Sequence, residues 1–339
     1  MIDRFPATAR NSTLLLAMLI PLFSGNCEAS CGSTACSINT DWSEHGPVRP
    51  GWTADLRYTY SSAGTLRSGA DRIQADTSYA GEVENLRTMN QIVTATLDYT
   101  HDEHWGVMML APYITRDHAH NIGPYVGGTP ADFERFHASG VGDIKVLGRY
   151  RWSMNEEEHS AIGVKFGFKF NTGRRDVQLL DAAGNPIGVP QEVTLQPGNG
   201  STDLILGAFW SSNPMGNDWS WFVQGTVQSS VATAEGYRPG DQVNLDLGTR
   251  YILSGKLSGL LQLNGQWNDT DSGANAAISP VTGGPSSGGK SLALTPGLSY
   301  AFSNTTQVYA LLQLPLYQYV NGEQLTADSS FTLGISQRF

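Results

Sequence analysis

Basic side chains recur at two-residue spacing in two neighbouring segments of the chain. Lys145, Arg149 and Arg151 share one alternating face of the first segment, and Lys165 and Lys169 share one face of the second. Fixed cations on a common face can bind an anion or attract anions along a channel. Like charges directly opposite each other in paired strands are destabilising, so this pattern requires acidic neighbours or anions close by.

The same alternation extends to an interior face with nine cations and five carboxylates. The predicted solute path consists of Arg57, Arg116, Lys145, Arg149, Arg151, Lys165, Lys169, Arg250, Arg338, Asp143 and Asp246, and the other interior carboxylates are Asp55, Asp98 and Asp203. One register that preserves the faces places Lys145 opposite Lys169 and Arg149 opposite Lys165. Several apolar side chains are predicted to project inward as well: Ile205, Phe209, Phe222, Leu260 and Tyr309. A small apolar solute therefore stays open as an alternative to an anion.

Two histidines are the candidates for a metal site. His118 and His120 are two residues apart, so they share a face if this segment is a strand. Asp117 and His137 could complete such a site near the outer mouth, since imidazole is a common metal ligand. The alternative is solvated loop histidine, because tight metal-ligand spacing is absent. We predict no cofactor.

The elements that must position these residues are strands, because hydrophobicity alternates with a period of two from Trp52 onward. Ile162, Val164, Phe166 and Phe168 fall on one face of their segment, and Gly163, Lys165, Gly167 and Lys169 fall on the other. Twelve strands are predicted, over 52–62, 87–101, 105–120, 140–154, 159–175, 201–214, 218–233, 242–254, 257–271, 291–303, 306–320 and 330–339. Most are long enough to cross a bilayer at a tilt.

The connections alternate in length, as they do in outer-membrane barrels. Short turns are predicted near 102–104, 155–158, 215–217, 255–256 and 304–305. Long loops are predicted over 63–86, 121–139, 176–200, 234–241, 272–290 and 321–329. Aromatic residues stand where strands would meet the membrane interfaces, and the chain ends in Phe339, which resembles the assembly signal of bacterial barrels. The predicted fold is an all-β, transmembrane, antiparallel up-and-down β-barrel of about 12 strands.

A soluble periplasmic β-sandwich or propeller would also alternate, but it does not account for the one-sided loop lengths and the aromatic ends together. Within the barrel two interpretations stay open. Twelve strands lie between barrels that are just filled by their own side chains and barrels with a clear channel. The interior is therefore either a narrow anion-leaning pore or a largely plugged lumen. Pro112, Pro296 and Pro315 each remove a ladder hydrogen bond, and we expect bulges or kinks there.

The N-terminal segment is predicted to be for export. Arg4 and Arg10 precede the apolar stretch 14–23, and Ala29 is a plausible cleavage point, so 1–29 reads as a signal peptide. A lipoprotein that uses Cys27 is the alternative. Residues 30–51 then form a periplasmic segment in which Cys31 and Cys36 can form a disulfide, and 52–339 form the barrel.

Composition narrows the partners. The net charge is −10 and no basic run occurs, which argues against nucleic acid. The expected surroundings are the lipid bilayer and lipopolysaccharide of the bacterial outer membrane, the outer-membrane assembly machinery, and a periplasmic partner at the N-terminal segment. Enzymatic activity is not predicted, because adjacent residues such as Asp117 and His118 point to opposite sides of a strand. No nucleophile elbow or phosphate loop occurs.

A short N-terminal pattern carries a family resemblance. Cys31-Gly32-Ser33, Cys36-Ser37 and Asn39-Thr40-Asp41-Trp42, followed by a barrel, resemble a group of uncharacterised bacterial outer-membrane proteins. More loosely, the architecture resembles the transporter family named for a phenol-degradation pathway. The resemblance implies transport without a substrate. We therefore predict a passive channel for a small anionic or small organic solute. The alternative is a metal-related or partner-binding barrel, acting as a scaffold or sleeve with little free conductance.

Overall fold

The computed structural model describes residues 49–74, 82–126, 129–155, 159–180, 185–214, 216–274, 276 and 285–339. The signal peptide, most of the 30–51 segment and the Cys31–Cys36 pair lie outside these ranges and stay predictions. No helix in the described ranges is long and apolar enough to cross a bilayer.

Within the described ranges the chain is almost entirely β-structure, with one short 3₁₀ turn, η1, over Val193–Leu195. The strands are β1 (Gly51–Gly69), β2 (Asp71–Arg72), β3 (Glu82–Thr100), β4 (Trp105–Val126), β5 (Thr129–Val141), β6 (Lys145–Asn155), β7 (Ser160–Lys169), β8 (Gln178–Leu180), β9 (Pro186–Pro190), β10 (Ser201–Ser212), β11 (Trp219–Thr233), β12 (Tyr237–Arg238), β13 (Gln242–Ile252), β14 (Leu257–Asn268), β15 (Ser272–Gly273), β16 (Gly289–Ala301) and β17 (Thr306–Arg338).

Eleven of these strands close into a ring. Their order is β17, β16, β14, β13, β11, β10, β7, β6, β4, β3 and β1, and β1 pairs back onto β17. β4 pairs with β6 near its start and with β5 farther along, so β5 and β6 together form one interrupted pass of the wall. Closure leaves no free sheet edge, which a lipid environment demands.

β17 doubles back on itself. Its first half pairs with β16 and its second half pairs with β1. The Arg338 N–H donates to the Thr305 carbonyl at 2.8 Å, so the two ends of β17 lie side by side. The chain reverses near Gly322, whose φ is 66°, a conformation that glycine adopts readily. The wall therefore has twelve passes, and the predicted all-β antiparallel barrel of about twelve strands is confirmed.

Three of the predicted long loops are partly wrong. β1 continues to Gly69, and β17 stays extended through 321–329. β4 continues to Val126, and β5 begins at Thr129. These extensions lie beyond the lipid-facing zone, where neither face of a strand needs to be apolar. Without alternation, a strand and a polar loop look alike in sequence.

The two faces of the wall separate as predicted. On β7, Phe166 and Phe168 are 42% and 41% exposed on the outer face, whereas Lys165 and Lys169 are only 6% and 4% exposed and point inward. Aromatic rings cluster beside the short turns: Trp105 lies 4.6 Å from Tyr150, and Trp219 lies 4.6 Å from Tyr251, between ring centroids. This is the placement that a membrane interface favours.

The prolines mark irregularities of three kinds. At Pro112 the partner of β4 changes from β6 to β5, and the Pro112 carbonyl accepts from Gly142 N–H at 2.8 Å. At Pro315 the register with β16 shifts, as expected of a bulge. At Pro296 the pairing with β17 is interrupted without a shift. Around the Pro315 bulge, Leu311 turns inward while Leu312, Leu314 and Leu316 face outward.

Glycines make room for aromatic rings on the inner wall. Gly248 lies opposite Phe222, and a side-chain carbon added to Gly248 would overlap that ring. Gly163 under Phe209 and Gly334 under Tyr309 repeat the arrangement. The rings therefore lie flat against the wall instead of crossing the lumen.

We predict that Gly248→Val destabilises the barrel by about 1–3 kcal/mol through overpacking against Phe222. Urea unfolding in lipid vesicles, followed by tryptophan fluorescence, measures the effect. In a Phe222→Ala background, which is itself less stable, the further cost of Gly248→Val should be much smaller, because the ring that the valine would overlap is gone. Gly225→Val is the matched control, because an added carbon there meets only the Asn244 carbonyl oxygen, at 3.9 Å. Equal losses for the two valine variants would refute the packing argument.

Candidate functional site

The inward cations of β6 and β7 face each other in the predicted register. Lys145 pairs with Lys169, and Arg149 pairs with Lys165. The repulsion at the first pair is relieved by carboxylates from other strands. The Lys169 ammonium lies 3.2 Å from Asp143 Oδ2 and 3.1 Å from Asp203 Oδ2. Lys169 is thus held inside a buried ion cluster and is not a free cation.

Asp203 is the hub of this cluster. Its carboxylate accepts hydrogen bonds from Ser201 Oγ at 2.6 Å, Ser230 Oγ at 2.9 Å and Gln228 Nε2 at 2.6 Å, in addition to Lys169. The donors come from three passes of the wall, so the cluster fastens β7, β10 and β11 together. A buried carboxylate is tolerated when its lone pairs are filled in this way.

Arg149 is neutralised on the opposite side of β6. It forms a two-pronged ion pair with Asp98 of β3, in which Nη2 lies 2.8 Å from Oδ1. The same nitrogen donates to Thr100 Oγ1 at 2.6 Å. The guanidinium spans β4, because Gly106 of that strand leaves space directly beside it. Such bidentate pairs are geometrically specific.

Lys145 and Arg250 are interior cations without a carboxylate partner in the described ranges. Lys145 donates to the amide oxygen of Gln228 at 3.1 Å, and no carboxylate oxygen among the described residues lies within 4 Å of its ammonium. Arg250 is half-buried, and its Nε has no hydrogen-bond partner in the part of the chain that the structure describes. These two side chains supply unneutralised positive charge to the lumen.

The remaining residues of the predicted path also lie on the inner face. Arg57, Arg151 and Arg338 are half-buried there, and Arg116 donates to Asn90 Oδ1 at 2.6 Å. Asp246 accepts from Asn264 Nδ2 at 2.7 Å and from Gln224 Nε2 at 3.4 Å.

An apolar lining accompanies the charges. Ile205, Phe209, Phe222, Leu260 and Tyr309 are buried on the inner face, as predicted. Sequence reasoning missed Met108, Leu110, Ile114 and Leu147, which share the inward parity of β4 and β6. Their alternation with Met109, Tyr113 and Val146 was a usable signal, but both faces of these strands are apolar. The lumen therefore presents cations and hydrocarbon together.

The outer mouth is crossed by a segment that we call the bar, Gln191–Asn199, which contains η1. Leu195 of the bar is 1% exposed and packs in a cluster with Ala63, Leu66, Phe136 and Leu325. These four partners belong to β1, β5 and β17. The bar lies within a region predicted as an external loop, 176–200, and no local sequence signal places it in the mouth.

The bar reaches from one wall to the opposite wall. At one end, Asn199 Oδ1 accepts from the Lys169 ammonium at 2.5 Å, at the end of β7. In the middle, the Thr194 carbonyl accepts from Arg116 of β4. In the ring order, β1 and β17 lie opposite β7 and β10, so the contacts of Leu195 with Ala63, Leu66 and Leu325 are across the mouth from Asn199. The bar obstructs the lumen from the outside.

Hydrogen bonds hold the bar in a defined shape. Gln196 Nε2 donates to the carbonyls of Val177 and Gln191, each at 3.0 Å, and its Oε1 accepts from Val177 N–H at 3.1 Å. The side chain of Gln196 thereby ties the bar to the chain that precedes β8. A single amide fills the backbone groups that a buried loop would otherwise leave unpaired.

The histidines are not gathered into one site. His118 is buried and its Nδ1 lies 2.8 Å from Thr88 Oγ1, while its ring lies 5.5 Å from that of Phe136. His137 Nδ1 lies 2.6 Å from Asp117 Oδ1, on the exposed side of the β4–β5 pair. His120 lies in β4, and its side chain is outside the description. Across the described ranges, no group of three metal-ligating side chains occurs.

A buried carboxylate organises the outer loops beside the bar. Asp271 accepts from Tyr237 OH at 2.8 Å and from Gly240 N–H at 2.9 Å. Burial raises the pKa of the Asp271 carboxyl above its ordinary value, and the hydrogen bonds offset only part of that effect. Burial, together with the nearby Asp271 charge, raises the pKa of the Tyr237 hydroxyl too.

We predict that the stability of this loop cluster decreases as pH rises. An unfolded loop ionises Asp271 from about pH 4, the ordinary aspartate value, whereas the folded loop holds the proton to higher pH. Stability is therefore full below pH 4 and falls until the folded pKa is passed. Hydrogen exchange of the Gly240 amide, corrected for its intrinsic pH dependence, measures it. Asp271→Asn should make the profile flat, and an unchanged profile in that variant would contradict the assignment.

Comparison with family models decides the relationship of the chain. The model described as "Putative MetA-pathway of phenol degradation" matches residues 69–323, about three quarters of the sequence. This chain belongs to that family. The matched span runs from the end of β1 into the last hairpin of the wall, so it contains most of the interior cations and the whole bar. Comparison with curated proteins finds no match.

One solved structure confirms the fold of this family member, and others share a weaker likeness. An outer membrane channel from Pseudomonas putida F1 superposes with a TM-score of 0.64 at 13% identity, over 89% of this chain and 100% of that chain. The transport unit of an Escherichia coli autotransporter gives 0.48 at 10% identity, over 91% and 95%. A Pseudomonas putida toluene transporter gives 0.42 at 10% identity, over 93% and 97%. The chain has the fold of a bacterial outer-membrane barrel.

Proposed function

We propose that this barrel is a passive outer-membrane channel for small solutes, with a preference for small organic anions, and that it is not an enzyme. The observation that carries the proposal is the inner wall. Lys145 and Arg250 retain positive charge without a carboxylate partner among the described residues, and they share that wall with Phe222 and Leu110. Cations beside hydrocarbon suit a solute that has a charged group and an apolar body.

The excess of cations over carboxylates on the inner face supports an anion preference. The nine inward cations exceed the five inward carboxylates by four. The carboxylates of the Asp203 cluster and of the Arg149–Asp98 pair already have cationic partners and do not neutralise the other cations. The net charge of the inner face therefore stays positive. A lumen that is lined by charges of one sign and has walls of low dielectric constant concentrates ions of the opposite sign.

The bar supports the alternative of a barrel with little free conductance. It crosses the outer mouth and is anchored at Leu195 and Asn199. A plugged barrel could act as a scaffold, with a periplasmic partner at the N-terminal segment. The proposed channel instead requires the bar to leave room beside it or to move.

We predict anion-selective conductance in planar bilayers. With a KCl gradient across the bilayer, the reversal potential should lie closer to the equilibrium potential of chloride than to that of potassium. Lys145→Gln and Arg250→Gln should each lower the anion-to-cation permeability ratio about two- to fivefold, the effect expected for removing one charge at an effective dielectric constant between protein surface and water.

Lys290→Gln is the matched control for this measurement. It removes the same charge from the outer face, where the Lys290 ammonium lies 5.6 Å from the Tyr319 ring centroid. Its permeability ratio should equal that of the wild type. Cation preference in the wild-type barrel rules out the anion channel. An absence of conductance both here and in Leu195→Asp, a variant that should release the bar by placing a carboxylate in its buried cluster, favours the scaffold.

A further inference from the structure

Three arginines point inward at the end of the barrel that carries the short turns, the periplasmic end. Arg338 is the last residue of β17, Arg250 lies two residues from the end of β13, and Arg151 lies four residues from the end of β6. We propose that these mouth arginines bind two carboxylates of the chain's own segment 30–48, so that the segment docks in the periplasmic mouth. The inference goes beyond the proposed channel, because this contact within the chain holds whether or not ions flow.

The mouth arginines are spaced evenly around the wall. In ring order from the first half of β17, Arg250 is on the fourth of the twelve passes, Arg151 on the eighth and Arg338 on the twelfth. Twelve strands about 4.8 Å apart and tilted by about 40° form a ring roughly 24 Å across. Long side chains that point inward from the thirds of such a ring converge, so a single segment in the mouth can contact all three.

Two of the mouth arginines form no ion pair within the described ranges. Arg338 Nη2 contacts the Pro50 carbonyl at 3.5 Å, and Arg250 Nε has no hydrogen-bond partner there. Two inward carboxylates of this half of the barrel are engaged elsewhere: Asp98 is held in its two-pronged ion pair, and Asp55 accepts from a tyrosine hydroxyl at 2.9 Å. Half-buried cations that lack a carboxylate are stabilised by an anion that enters the mouth.

The chain turns sharply beside the mouth as it enters β1. Gly51, the first residue of β1, has a φ of 133°, and a side-chain carbon added there would lie 2.8 Å from the Phe339 carbonyl oxygen. Glycine adopts such a backbone conformation readily, so the turn is built into this position. The carbonyl of Pro50, the residue before the turn, contacts the inward side chain of Arg338. The residues that precede 49 therefore start beside the mouth arginines.

Segment 30–48 carries the complementary charge. Its charged residues are Asp41 and Glu44, and it contains no Lys or Arg. Glu44 and Asp41 precede Pro50 by six and nine residues, which in extended chain span up to about 20 Å and about 30 Å. The first carboxylate can thus reach the centre of the mouth, and the second can reach the opposite wall. Two carboxylates against three arginines leave the mouth positive, as an anion-preferring channel requires.

The peptide tether favours this segment over other anions. A carboxylate six to nine residues away along the chain is present at the mouth at an effective concentration of the order of millimolar. A free phosphate or a separate periplasmic protein has to give up its translational freedom on binding, whereas the segment has already lost most of its own. The two carboxylates can also contact different arginines at the same time. Segment 30–48 is therefore the occupant to which the structure points.

A photo-crosslinker tests the location of the segment. In the exported full-length barrel in lipid nanodiscs, p-benzoylphenylalanine replaces Trp42, which lies between the two carboxylates, and crosslinked peptides are identified by mass spectrometry. Crosslinks within a monomer to inward-facing residues at the periplasmic ends of β6, β13 or β17 are expected. The same photo-crosslinker at Trp52, whose side chain is 47% exposed on the outer face, should give none of these. If phosphate fills the mouth or the segment stays outside, position 42 gives no such crosslinks and the proposal is overturned.

Chymotrypsin cleavage after Trp42 tests the charges, with each rate divided by that of the free 30–48 peptide of the same sequence. Asp41→Asn combined with Glu44→Gln should speed the cleavage about tenfold, because a docked segment is protected by two charge-assisted contacts that this variant loses. Both substitutions lie outside the barrel strands, so folding of the wall is unaffected. Asp218→Asn, which removes an exposed carboxylate beside a short turn, should cleave like the wild type.

The arginine side of the contact provides the second measurement. Arg250→Gln combined with Arg338→Gln should speed the cleavage as much as the two segment substitutions do. Joining both pairs of substitutions in one protein should add nothing further, since either pair already removes the same contacts. Equal normalised rates in the wild type and in the Asp41→Asn/Glu44→Gln variant overturn the proposal, and so does full additivity of the two pairs. Both readouts are independent of conductance, so the channel and the docked segment can fail separately.

Discussion

A Leu195→Asp variant is expected to conduct ions far better than the wild-type barrel. Leu195 is fully buried and packs against the hydrocarbon side chains of Ala63, Leu66, Phe136 and Leu325. Burying an unpaired carboxylate there would cost several kcal/mol. Each 1.4 kcal/mol changes an equilibrium about tenfold, so the bar should leave the mouth in most molecules. Single-channel recording would detect a larger conductance or a larger open fraction.

Leu195→Met is the control for this experiment, because methionine preserves volume and hydrophobicity and should leave the conductance unchanged. Proteolysis within 191–199, measured on the same samples, reports whether the bar has been released. If the aspartate variant is cleaved there and its conductance stays at the wild-type value, the bar is not the barrier. Arg116→Met should have a smaller effect, since it removes the hydrogen bonds to the Thr194 carbonyl and to Asn90 Oδ1 but leaves the packing of Leu195 intact.

Alternation was sufficient to predict the lipid-facing part of the wall. On β7, the bulky residues from Ile162 to Phe168 had to face one side, and a turn of four residues limited the register with β6 to a few choices. The observed pairing of Lys145 with Lys169 is the one that keeps both faces consistent. The local pattern and the pairing geometry predict the same register there, because a slip of one residue would turn the polar face of the strand toward lipid.

The outer half of the molecule could not be predicted in the same way. Above the membrane, β1, β4 and β17 continue as strands with polar residues on both faces, so periodicity no longer separates strand from loop. The bar is a harder case. Leu195 finds its partners on β1, β5 and β17, from about 60 to about 130 residues away along the chain. Nothing in the residues around Leu195 encodes that contact.

The sequence was sufficient to predict that the cations point inward, but not which residues they contact. Alternation places Lys169 and Lys145 on the same face and says nothing about which carboxylates reach them. In the structure Asp143 and Asp203 both go to Lys169, while Lys145 receives an amide oxygen. The difference arises from side-chain packing around Ser201, Asn199 and Gln228. The predicted stripe of cations therefore resolves into a buried ion cluster and a smaller number of cations available to a solute.

An Asp203→Ala variant is expected to lose about 3–5 kcal/mol of barrel stability, the range observed when one partner of a buried ion pair is removed. The substitution strands the Lys169 ammonium beside one remaining carboxylate and removes the acceptor from Ser201, Ser230 and Gln228. Urea unfolding in lipid vesicles gives the free energy. Because the donors that lose their acceptor, Lys169 among them, lie on β7, β10 and β11, exchange of backbone amides should increase in those strands first.

Asp176→Ala is the matched control for this variant. Asp176 pairs with Arg174 at 2.6 Å, but its side chain is 80% exposed, and an exposed pair typically contributes little to stability. The pKa of the Asp176 carboxyl is lowered by its hydrogen bond and charge interaction with Arg174, so the control is a real ion pair that differs chiefly in burial. If the two variants lose similar stability, burial is not what makes the Asp203 cluster important, and the cations of the lumen are less tightly held than the structure indicates.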